Sequence, residues 1–124
     1  MSRPARSLFY FAIYILVTGV AFIAAPEFLS SILQLPPATA GWARVVGLLA
    51  LVIGAYDLAG SHAECMPYIR ASVPVRFGFA AGTLLLVVFG QMPATILLLG
   101  ATDVAGALWT AFALKANTSA AAAA

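Results

Sequence analysis

Four charged side chains stand inside otherwise apolar runs of this chain: Arg44, Asp57, Arg76 and Asp103. A charge in the middle of a hydrocarbon-embedded helix costs about 2.5–3.5 kcal/mol on insertion scales, so each needs a partner or a polar space to face. Two kinds of chemistry follow. In the first, Asp57 pairs with Arg76 and Arg44 reaches toward Asp103, and the ion pairs fix the order of the helices. Depth favours the Asp57–Arg76 pair, since both are expected within about one turn of the same end. In the second, Asp103 lines a polar pocket with Tyr10, Tyr14, Arg44 and Thr110. Such a pocket binds a small molecule, or uses Asp103 as a proton donor to a lipophilic substrate.

Other reactive residues make weaker patterns. His62, Glu64 and Cys65 share one polar stretch, SHAECMPYIRAS, but metal sites use repeated ligand spacings such as paired CxxC or HExxH. Neither is present, so no metal is expected, and nothing in the sequence orients His62 to activate Cys65. With one cysteine there is no intrachain disulfide. No phosphate-binding loop, dinucleotide fingerprint, GxSxG or haem-attachment motif occurs, and no cofactor is expected.

The elements that must position these groups are set by composition. Of 124 residues, 64% are hydrophobic and 8% charged, against roughly 45–50% and 25% in soluble domains. So few charges cannot keep a folded surface dispersed in water, and the chain reads as an integral membrane protein in a lipid bilayer. The net charge of +2 comes from scattered Lys and Arg, which excludes a basic stripe for nucleic acid and leaves these residues as topology signals.

The expected fold is all-α: a four-helix membrane bundle in one domain, 1–116, with a disordered tail at 117–124. The spans are expected at about 7–25, 40–60, 73–89 and 93–115, each long enough to cross about 30 Å of hydrocarbon. The basic MSRPAR leader and first apolar run resemble a signal peptide, but the run is long for one and Pro26 follows Ala24-Ala25 directly, so a retained span is expected. PEFLSSILQLPP is too short to cross. It is read as a short interfacial helix opened by Pro26, with Phe28, Leu29, Ile32 and Leu33 on its apolar side and Pro36-Pro37 ending it. Thr39 and Ser72 are read as helix caps, with Pro74 in the first turn of span three. Arg3, Arg6, Arg70, Arg76 and Lys115 fall on one side, placing both termini in the cytoplasm by the positive-inside rule, in the inner membrane. Trp42 and Tyr68 are expected in the two aromatic belts. The sequon letters at Asn117-Thr118-Ser119 then lie on the wrong side for glycosylation.

Laid out at 100° per residue, each span has a small or polar stripe. These stripes are Ser7, Tyr10, Tyr14, Thr18 and Ala21 in the first, then Ala43, Gly47, Ala50 and Gly54 in the second. Arg76, Ala80, Thr83, Val87 and Gly90 form the third, and Asp103, Gly106, Ala107 and Thr110 the fourth. Small residues admit close backbones and polar ones need partners, so the stripes should face one another in a compact bundle. Gly78 and Gly82 form a GxxxG on the opposite side of span three, which opens a homodimer reading.

The AxP ending of the first span, GWARVVGLLALVIGAYD, SVPVR and GATDVAGALWTAFAL together resemble small bacterial four-span membrane proteins, DoxX-like in layout. That resemblance covers most of the chain and implies the fold. It also implies an accessory role beside a partner membrane subunit, since some such proteins accompany quinone-linked oxidoreductases. The functional expectation is therefore a non-enzymatic accessory subunit or a binder of a small quinone- or isoprenoid-like molecule. The alternatives are a membrane isomerase or cyclase using Asp103, and an oligomeric transporter or channel.

Overall fold

A computed structural model describes residues 1–36 and 39–123, with backbone alone for 119–123. Helix α1 covers Arg3–Ala24, α2 Pro26–Ile32, α3 Ala40–His62, α4 Met66–Val88 and α5 Leu97–Ala123, the last preceded by a 3-10 turn at Ala94–Ile96. Four segments are long and apolar enough to cross a membrane: Arg3–Ala24, Ala40–His62, Met66–Val88 and Ala94–Thr118.

Helix α1 starts where its chemistry demands. The Ser2 side chain accepts from the Ala5 amide, and proline occupies the first turn, where its missing N–H costs nothing. Pro26 opens α2 in the same way. Helix α2 stops at Ile32, before the expected Pro36-Pro37. Gln34 takes a left-handed conformation (φ 53°) and the Leu35 amide returns to the Ser30 carbonyl, closing the helix early. Phe28 and Ile32 stay exposed while Leu33 is buried. Pro37 lies outside the described residues. Glu64 (φ 49°) ends α3, and Gly90 (φ 73°), where glycine carries no steric cost, ends α4.

The largest departure from the expected elements is at α4. The polar stretch expected as a loop up to Ser72 is helical from Met66, leaving only Ala63–Cys65 between α3 and α4. Pro67, which favours a first turn, and burial of Ile69 against Ala5 and Leu8 outweigh the polarity of the segment. Pro74 is thus inside the helix, and the Arg70 carbonyl loses its usual amide partner. At the other end of the chain α5 continues to Ala123, through the tail expected to be disordered from residue 117. An alanine run has the strongest intrinsic helix preference and nothing there breaks it.

Around the bundle the order is α3, α1, α5, α4. Helix α1 packs chiefly on α3, α4 on α5, and α1 on α5, whereas α3 and α4 barely meet. The α1–α3 crossing is close because both helices put glycine there. A methyl group on Gly47 would lie 2.7 Å from the Gly19 carbonyl oxygen, and one on Gly54 would lie 2.8 Å from Leu16. Gly100 makes the corresponding room for Thr83 between α5 and α4. The outer surface carries Val17, Val20, Leu48, Val52, Leu84, Leu85 and Phe112, all exposed. In water such a surface would aggregate, whereas against lipid it is matched.

Candidate functional site

Because α3 and α4 diverge, a cavity of about 510 Å³ opens between them, floored by α1 and α5. Its walls are mostly apolar: Ile15, Phe22, Val46, Leu49, Ile53, Val75, Phe79 and Leu99. Into this greasy space reach Tyr14, Tyr56, Asp57, Tyr68, Ser72, Arg76 and Asp103. The volume lies within the roughly 300–1,000 Å³ typical of small-molecule sites, and a few polar groups on apolar walls is their usual make-up.

Asp57 is placed by the tight α3–α4 hairpin. Gly60 lacks a side chain, and a methyl there would sit 2.6 Å from the Tyr68 ring, so Tyr68 lies flat against α3. Its hydroxyl then donates to Asp57 Oδ1 at 2.8 Å. Tyr68, expected in an aromatic belt, instead turns toward the cavity. The second Asp57 oxygen has no hydrogen-bond partner among the described residues.

Arg76 is almost fully buried, and its guanidinium is sunk in the floor between α1 and α5. Its Cζ lies 4.3 Å from the centre of the Phe11 ring, a cation–π contact. Nη2 donates to Ser72 Oγ at 2.9 Å and to Thr110 Oγ1 at 3.3 Å. Nη1 lies against Gly106, where a methyl would come within 3.0 Å of it. Nε and Nη1 are buried without a hydrogen-bond partner. Thr110 shares a 2.9 Å hydrogen bond with Ser7, so the guanidinium sits on a polar strut joining α1, α4 and α5.

The expected ion pairs are not formed. Among the described residues the one ion pair joins the amino terminus to Glu64 at 3.9 Å, at the α3–α4 turn. The reason is the earlier start of α4. It puts Arg76 about 15 Å from the Met66 end, whereas Asp57 is about 7 Å from the His62 end of α3. The two are thus separated in height instead of level. Asp103 lies on the other side of Arg76, is nine-tenths buried, and makes no side-chain hydrogen bond among the described residues.

The remaining expected site residues disperse. Tyr14 borders the cavity and its hydroxyl meets Thr102 Oγ1 at 2.8 Å. Tyr10 points outward and stacks on Trp109 with ring centres 5.9 Å apart. Arg44 is away from the cavity. Its Nε donates to the Ile23 carbonyl at 3.2 Å, a cation placed at the carbonyl end of α1. Thr110 is beneath the floor, completely buried. His62 packs edge-on to Phe9, Glu64 also accepts from the Ser2 amide, and Cys65 is exposed. The residues that sequence reasoning missed are Phe11, Tyr56, Tyr68 and Ser72. Tyr68 was within reach of it, since a very short α3–α4 loop makes a residue just after the turn face one just before it.

No family model, no curated protein and no solved structure matches this chain.

Proposed function

We propose that this chain is a membrane-embedded binder of a small lipophilic molecule, held between α3 and α4 with its polar end at Asp57, Arg76 and Asp103. The observation that carries this reading is the cavity beside Asp103. A buried carboxyl group facing empty, apolar space without a partner is costly, and a ligand's polar end supplies the missing contacts. The gap between α3 and α4 opens toward the lipid-facing side of the bundle, which suits a ligand that already resides in the bilayer.

The test is filling the space. Ala71 lines the cavity and carries no polar contact of its own. Native mass spectrometry after gentle extraction should find a lipophile on the wild type and none on Ala71→Trp. A wild type that is empty under the same extraction refutes the reading.

The reading includes an inner-membrane location with both termini and the α3–α4 loop in the cytoplasm, supported by the basic residues at that end. Cys65 is the sole cysteine and is exposed in that loop. A membrane-impermeant maleimide should label it only after the cells are permeabilised. Labelling of intact cells reverses the orientation.

A further inference from the structure

We infer that the occupant of the α3–α4 cavity is a lipophilic monocation, a protonated amine on an apolar body. This rests on the proposed binding role and adds the chemistry of the ligand's head. The second oxygen of Asp57 and both oxygens of Asp103 have no hydrogen-bond partner, yet the buried side-chain atoms left unpartnered among the described residues are only Nε and Nη1 of Arg76. The carboxylate oxygens are therefore reachable, and the unpaired guanidinium nitrogens are not. Arg76 gives its charge to Phe11, Ser72 and Thr110, in the floor. The charged atoms that a molecule in the cavity meets are carboxylate oxygens.

Charge balance points the same way. While both carboxyl groups stay ionised, two carboxylates and one guanidinium leave one surplus negative charge in a space of low polarity, where a charge without a counter-ion is strongly disfavoured. A monocation neutralises the cluster. A carboxylate or phosphate head would raise the surplus, and the donors left to meet it are hydroxyls such as that of Tyr56, the unpaired guanidinium nitrogens being out of reach. A neutral alcohol or carbonyl head leaves the surplus in place. The walls fit a cation as well, because the rings of Tyr14, Tyr56 and Tyr68 border the same space and aromatic faces attract ammonium groups.

The experiment compares three molecules with one tail and different heads: decylamine, decanol and decanoate, at neutral pH. Each is titrated into the protein in phosphatidylcholine nanodiscs, with Ala71→Trp as the blank for partition into lipid. The expected result is saturable decylammonium binding about ten-fold tighter than decanol, with none for decanoate. Asp103→Asn and Asp57→Asn should each weaken decylammonium binding more than decanol binding, so that the preference shrinks. Equal or tighter binding of decanol, or saturable binding of decanoate, overturns the charge assignment and leaves the lipophile-binding role standing. Absence of saturable binding for all three molecules overturns both. If either Asn variant does not fold, the comparison of heads on the wild-type protein decides alone.

Discussion

Helix α3 has two very different neighbours. Against α1 it presents Gly47 and Gly54, and the backbones approach until a single added methyl would collide with a main-chain oxygen. Against α4 it presents Val46, Leu49, Ile53 and Tyr56, and the helices stay apart around an open cavity. One sequence element therefore builds a close-packed seam on one side and a cavity wall on the other. The difference teaches that small residues, more than hydrophobic ones, decide which helices close. Apolar side chains are as content against lipid as against protein, so bulk alone draws no two helices together in a bilayer.

The largest loss of stability is expected at the seam. Gly47→Leu places side-chain atoms against the Gly19 carbonyl, which cannot rotate away. It should destabilise the bundle by about 3 kcal/mol, read as a lower midpoint in denaturant titration of the detergent-solubilised protein. A smaller effect is expected beneath the cavity floor. Thr110→Val keeps the shape but removes the hydroxyl that bonds both Ser7 and Arg76, for a loss of about 1 kcal/mol in the same titration. The smallest belongs to the outer face of α4. A methyl on Gly78 or Gly82 meets nothing within 4 Å. The double change to Leu should therefore alter monomer stability by less than about 0.5 kcal/mol. Should that double variant change the oligomeric state in crosslinking, the GxxxG face is an interface between copies and the homodimer reading gains its evidence.

Much of the architecture was legible before any coordinates. Predominantly apolar runs of membrane-crossing length, separated by proline and glycine, mark the long helices, and Pro26 marks α2. The stripe Asp103, Ala107 and Thr110 is the buried side of α5, and Gly47 and Gly54 the buried side of α3. The start of α4 was not legible. Polar residues between two spans read as a loop, yet Pro67 and the packing of Ile69 make them helix. That error moved Arg76 by about two turns and created an apparent ion pair with Asp57.

The candidate site shows the same limit. Asp57, Arg76, Asp103 and Tyr14 were singled out by chemistry alone, and all four border the cavity. Tyr10 and Arg44 were singled out by the same logic and lie elsewhere, stacked on Trp109 and bound to the end of α1.

By itself the sequence determined that charges sit in apolar helices and which face of α5 and of α3 is small enough to pack. Both follow from local quantities: side-chain type, 3.6-residue periodicity, and the cost of charge in hydrocarbon. Only the tertiary structure decided that α3 and α4 part, that Arg76 turns into the floor, and that Asp57 and Asp103 are left facing the space. Those outcomes depend on the close approach of Gly19 to Gly47, the three-residue α3–α4 turn and the seat that Gly60 gives Tyr68. They are relations between helices, and no single helix encodes them.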